Sequence, residues 1–256
     1  MTGESSLTFL VFCLGAVLLW HAVAAAGFWP DYVFPSPTGV FSALVHGIDD
    51  ESFLHGTIAS LKRMAMGFFI ALAIGIILGL AISQSRHLER TLGTVVLGVQ
   101  TLPSICWLPL AVLWFGLSDK AILFVVVAGA VGSITMAISS GISNVPPIFI
   151  NAARSMGAKG PALYYEVVFP AALPTIVAGV RQGWSFAWRS LMAGELIYVS
   201  AGLGQLLQVG RELNDINQVV AVMLVIMSIG FLIERLFFTS IEMDIRKKWG
   251  LGAKKA

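Results

Sequence analysis

The sequence predicts an all-α integral membrane protein with six transmembrane helices, and three observations carry that reading. Of its 256 residues 57% are apolar and only 12% charged, half the roughly 25% charge of a soluble domain, and the mean hydropathy is +0.86. Six stretches are each long enough to cross a hydrocarbon core of about 30 Å, which takes ~20 apolar residues as a helix. The basic residues are shared unevenly among the connecting segments. So low a charged fraction excludes disorder, collagen-like repeats and nucleic-acid binding, and the net charge is only +2. Two cysteines, Cys13 and Cys106, are too few for a disulfide scaffold and read as packing residues.

The first span is Leu7 to Phe28. Ala24-Ala25-Ala26 resembles a cleavage site, yet the flank carries Glu4 and no Lys or Arg, so the segment reads as a retained helix. The second span, Met64 to Ile82, carries Gly67, Ala71, Gly75 and Gly79 at every fourth position. Such stripes let helix backbones approach closely in lipid, where hydrophobic force between helices is absent. The third, Thr94 to Phe115, is interrupted by Pro103 and Pro109. Each removes a backbone donor, so a kink or break is expected. Pro103, Ser104 and Pro109 are therefore candidates for lining a translocation path, since irregular backbone at membrane depth is tolerated beside an aqueous route. A bent structural helix is the alternative.

The fourth span, Ala121 to Ile142, repeats the stripe at Gly129, Ser133, Ala137 and Gly141, and the fifth, Leu173 to Val199, at Gly179, Gly183 and Ala187. The fifth also carries Arg181, Arg189 and Glu195. A charge at mid-bilayer costs about 2.5–3.5 kcal/mol on insertion scales, so these side chains must face the bundle or an aqueous cavity. Trp184 and Trp188 share a face with Arg181. Arg181 reads either as an anion-attracting path residue or as half of an interhelical ion pair, and both remain open. Arg189 and Glu195 sit about 240° apart around the helix, so they cannot pair with each other and are assigned structural roles. The sixth span is Val219 to Phe238.

Six spans put both ends of the chain on one side. Arg86 and Arg90, Arg154 and Lys159, and Arg246, Lys247, Lys248, Lys254 and Lys255 make up nine of sixteen basic residues. All nine fall in one set of connecting segments, which the positive-inside rule makes cytoplasmic. The acidic run Asp49-Asp50-Glu51 falls outside and reads as a solvated loop.

The segment from Ser143 to Ala172 is too long for a simple turn and has its own punctuation. Pro146-Pro147 opens a helix, Ile148 to Met156 continues it, and Gly157 caps it in a left-handed conformation. Pro161 then starts a second short helix, Ala162 to Val167, which Pro170 and Pro174 are expected to end. An exposed face of Ala152, Ala153, Met156 and Ala158 would suit a partner's groove.

Asn151-Ala152-Ala153, Gly157, Val167, Phe169 and Pro170 resemble, at matching spacing, the EAA signature of binding-protein-dependent ABC importer permeases. Phe34-Pro35-Ser36-Pro37, Ser60-Leu61-Lys62-Arg63, Leu108-Pro109-Leu110, Trp114-Phe115-Gly116, Pro170-Ala171-Ala172-Leu173-Pro174 and Gly202-Leu203-Gly204 resemble the nitrate/sulfonate/taurine/bicarbonate branch of that family. The resemblance covers roughly Phe34 to Trp249. It implies a type I, MetI-like permease fold. Residues 1–58 would hold the first helix and an extracytoplasmic segment, 59–242 a five-helix permease core with the coupling loop 143–172, and 243–256 a basic cytoplasmic tail.

It also implies the partners: a second copy of the permease in a homodimer, two cytoplasmic ABC ATPase subunits, an extracytoplasmic solute-binding protein, and the lipid of a bacterial inner membrane. The coupling contacts implied are Asn151, Ala152, Ala153, Met156, Gly157, Ala158 and Lys159. Asn151 departs from the family's Glu, which replaces a charged contact by an amide. The chain carries no phosphate loop and no metalloprotease or nucleophile-elbow motif. No catalytic residue, metal or bound cofactor is expected, and ATP and Mg belong on the partner. The implied solute is a small anion, such as an aliphatic sulfonate or taurine, nitrate or bicarbonate. The rival reading is an ion-coupled secondary transporter, which often shows two related halves; the sequence shows no such repeat.

Overall fold

The computed structural model describes residues 3–197 and 200–248, which contain helices and connecting turns but no strand. Val199, where the fifth span was expected to end, and Trp249, Lys254 and Lys255 lie outside them. The helices are α1 (Gly3–Ala25), α2 (Pro37–Asp49), α3 (Ser52–Ser83), α4 (Arg86–Gln100), α5 (Ser104–Phe115), α6 (Asp119–Ser143), α7 (Pro147–Ser155), α8 (Pro161–Glu195), α9 (Leu203–Glu212) and α10 (Ile216–Ile245). Four of them, α3, α6, α8 and α10, are long and apolar enough to cross a membrane, and α4 with α5 makes a fifth span if the bent pair counts as one. The remaining expected span falls on α1, which is helical over Gly3–Ala25 and whose described apolar part is Leu10–Ala25. The chain is thus an all-helical, multi-pass membrane protein.

Two compact units emerge, one from Met1–Ser60 with Val199–Ser228 and the other from Leu61–Tyr198 with Ile229–Ala256. In the first, Trp20 donates its indole N–H to the Pro35 carbonyl at 2.9 Å. Ser36 caps α2 by accepting the Gly39 N–H at 3.1 Å, with Pro37 opening the helix; this is the usual start signal of serine followed by proline. Asp50 accepts the Ser52 N–H at 2.9 Å where α3 begins, and hydrogen bonding from the Ser52 side chain, then from this N–H, holds its exposed carboxyl below the usual range. The buried Ser60 hydroxyl accepts the Leu203 N–H at 2.9 Å. That bond ties the Gly202-Leu203-Gly204 turn to α3, where Gly56 leaves room for Leu206.

The second unit is organised on α6. The glycine stripe of α3 lies against it: a β-carbon on Gly67 would reach within 2.6 Å of Val126, one on Gly75 within 2.7 Å of Ile134, and one on Gly79 within 2.8 Å of the Thr135 carbonyl. From another side α8 presents Gly179 to Ala137 and Gly183 to Ile134. Small residues therefore let three long helices approach through their backbones, and Ala130, Ile134 and Ala187 are fully buried.

Two expectations are corrected here. Ala162 to Val167 is not a separate helix ended by Pro170 and Pro174. It is the first part of α8, which runs 35 residues. A π-turn at Tyr164–Val168, in which the Phe169 N–H reaches the Tyr164 carbonyl, widens the helix just before Pro170. That relieves the clash between the proline ring and the preceding carbonyls, and Pro174 is accommodated within the helix. Pro109 does not break the third span either. It sits in the first turn of the helix Leu108–Phe115, where its missing N–H has no partner to lose. The break falls at Pro103, where α4 and α5 meet at 95°.

Candidate functional site

The segment read as the coupling loop is a surface helix with a defined stop. α7 begins with Pro147 in its first turn and ends with Met156 as its cap. Beyond the cap the Gly157 N–H reaches the Arg154 carbonyl and the Ala158 N–H the Ala153 carbonyl, both at 3.0 Å. This crossed pair is the Schellman arrangement, and it places Gly157 at φ +93°, where a side chain would strain the backbone. Met156 is 83% exposed, and Asn151, Ala152, Gly157 and Lys159 are exposed. Ala153 is not on that face. It is only 3% exposed and Ala158 is half-buried, because one side of this short helix must pack. Ala152, Ala153 and Met156 border an open cleft of about 230 Å³ whose far wall is Glu166, Val167 and Ala171 of α8.

Three arginines on packed helices of the second unit meet different surroundings. Arg63 on α3, just before the expected second span, donates through Nη1 to Glu195 Oε1 and through Nε to Asp119 Oδ1, both at 3.0 Å. Glu195 is buried, and Arg63 lies 132 residues from it in the sequence. Arg181 on α8 donates to Glu234 and, at 2.8 Å, to Glu242, both on the helix of the sixth span. Two carboxylates from another helix hold this one guanidinium, which favours an interhelical clamp over attraction of anions. Glu234 and Glu242 escaped the sequence reading, although Glu234 lies within the expected sixth span, where a carboxylate calls for a cation beside it.

Arg189 is placed otherwise. Its Nε donates to the Ser185 carbonyl at 3.1 Å and its guanidinium lies over the Phe186 ring, 5.0 Å from the centroid. It lines a cavity of about 290 Å³ that also takes in Pro103 and Ser104 at the α4–α5 break. Of the path candidates, Pro103 and Ser104 come together there, while Pro109 does not line that cavity. Trp184 packs edge-on against Phe68 at 5.0 Å and against Phe238 at 5.9 Å. Trp188 is buried beside Gly230, so both tryptophans fill helix contacts.

Residues 71–246 match the family described as binding-protein-dependent transport system inner membrane component. A putative ABC transporter permease of Methanocaldococcus jannaschii is 33% identical over 86% of this chain and 84% of its own. The taurine transport system permease protein TauC of Escherichia coli is 31% identical over 86% of this chain and 82% of its own. A putative aliphatic sulfonates transport permease protein, SsuC, of the same organism is 32% identical over 85% and 82%. Among solved structures, the inward-facing MetNI methionine ABC transporter superposes at a TM-score of 0.66, with 20% identity over 76% of this chain and 96% of that one. The likeness to that structure is one of fold.

Proposed function

Since the chain belongs to the family of binding-protein-dependent transport system inner membrane components, we propose that it is the permease subunit of an ATP-driven importer. Two copies form the path, two ATPase subunits dock on α7 from the cytoplasm, and a binding protein delivers solute from outside. The observation that carries this is the α7 stop. A helix closed by a Schellman turn holds an exposed Met156 and a left-handed Gly157 beside a cleft, which is a rigid knob that a partner can push. The basic residues around it support its placement on the cytoplasmic side of a bacterial inner membrane, together with both ends of the chain. A motif for ATP hydrolysis being absent from the sequence, the energy comes from the partner.

The solute we propose is a small oxyanion. Relatives named for taurine and for aliphatic sulfonates support a sulfonate, and nitrate and bicarbonate share its charge and planar or pyramidal oxygen array. The test of coupling is Gly157→Asp in complexes reconstituted with ATPase and binding protein. An aspartate forced into the left-handed region costs about 1–2 kcal/mol and distorts the knob, so binding-protein-stimulated ATP hydrolysis and solute uptake fall together. Persistence of both at wild-type rates overturns the assignment of this segment.

A further inference from the structure

We propose that Arg189 is the anion-recognition contact of the translocation path, acting from the wall of the cavity at the α4–α5 break. This deepens the permease reading and rests on it. The cavity holds about 290 Å³, roughly ten waters at ~30 Å³ each, which suits a solute of a few heavy atoms with part of its hydration. Its polar wall is Gln100, Thr101, Ser104 and Arg189, and the aromatic ring of Phe186 backs the guanidinium. Backbone between Gln100 and Ser104 leaves the helix there, and non-helical backbone at membrane depth persists where it lines such a space.

Charge accounting singles out Arg189. Arg63 and Arg181 each hold two carboxylates, whereas among the described residues Arg189 has no carboxylate within ion-pair distance. An arginine without a counter-ion in a membrane segment is tolerated when it opens onto water. In that position its planar fork can meet two oxygens of a sulfonate, nitrate or bicarbonate at once. With Nε held by the Ser185 carbonyl and the face held by Phe186, the fork is oriented before the solute arrives.

The test reads the electrostatics of the cavity and transport separately. Ser104→Cys is placed in a background with Cys13→Ser and Cys106→Ser, and the complex with its ATPase subunits is labelled by 2-sulfonatoethyl methanethiosulfonate, an anion, or by 2-aminoethyl methanethiosulfonate, a cation. Arg189→Gln is expected to lower the anion-to-cation rate ratio at the introduced thiol by about tenfold or more, the size of a charged hydrogen bond. Arg189→Lys retains part of that ratio, and taurine slows the anionic reagent only when the arginine is present. A ratio that Arg189→Gln leaves unmoved overturns the inference. In proteoliposomes, Arg189→Gln raises the KM for taurine uptake while Arg189→Lys raises it less. Should the ratio move while the unaltered complex shows no ATP-driven uptake of taurine, nitrate or bicarbonate, the anion contact stands and the transport reading falls.

Discussion

Glu195→Gln is the sharpest perturbation of the second unit. Glu195 is 1% exposed and receives Arg63 Nη1 at 3.0 Å, while Arg63 itself is 12% exposed and keeps a second bond to Asp119, which is 60% exposed. Removing one member of a buried pair leaves an uncompensated charge and costs about 3–5 kcal/mol. The ion pair to an exposed aspartate, which survives, offsets only about 0–1 kcal/mol, so a net loss of ~3 kcal/mol is expected. For a chain of this size each kcal/mol moves the melting temperature by about 2–4 °C, which predicts a drop of roughly 6–12 °C in the detergent-purified protein. The double change Arg63→Met with Glu195→Leu removes both charges and is expected to recover most of that loss, because replacing a buried pair by apolar groups of similar volume is nearly neutral. Melting followed by size-exclusion chromatography measures both. If the double variant melts as low as the single one, the loss is one of packing and the charge argument is refuted.

Gly179→Val is expected to lower stability by about 1–3 kcal/mol, because its β-carbon would overlap that of Ala137; Gly15→Ala, with open space around it, is expected to be neutral or slightly stabilising in the same melt. Arg181→Gln is expected to lower the melting temperature modestly, since its two partly exposed pairs are worth about 0–1 kcal/mol each. It leaves the KM for anion uptake within about twofold, a ratio worth ~0.4 kcal/mol; a large rise in KM would return Arg181 to the path.

The long spans were legible because lipid demands an unbroken apolar helix, and a run such as that in α6 satisfies nothing else. The α7 stop was legible too, since glycine and proline act through local backbone geometry that a short window contains. The start of α8 was misjudged for the opposite reason. Proline's local rule says stop, but a π-turn shifts the hydrogen-bond pattern by one residue, and no residue type at Tyr164–Val168 announces it. Ser36-Pro37 is a start signal for α2, but a short amphipathic helix leaves no mark in a pattern of long apolar spans. The ionisable residues were hardest to place. Arg63 and Glu195 are 132 residues apart and Arg181 and Glu242 are 61 apart, so only packing decides which arginines are neutralised and leaves Arg189 to the cavity.

The clamp on Arg181 depends on a second such register shift. Glu234 and Glu242 are eight positions apart, which in a regular α-helix separates them by about 80° around the axis. The π-turn at Glu234–Phe238 adds one residue to a turn, and removing its ~100° from the sum brings the two carboxylates to within about 20° of one another. That is why one guanidinium on α8 can reach both. Deleting Phe237 removes the extra residue together with the π-turn, so in the regular helix that results the two carboxylates stand seven positions apart, about 20° around the axis, and both still face Arg181. Arg181→Gln is therefore expected to destabilise the deletion variant by about as much as it destabilises the unaltered protein, since in each it breaks two bonds of comparable worth. Deletion also removes the Phe237 ring and the π-turn itself, so the deletion's own melting temperature decides nothing; the coupling between the two changes does. An Arg181→Gln effect only about half as large in the deletion background would show that one carboxylate has left the clamp and would refute the register argument.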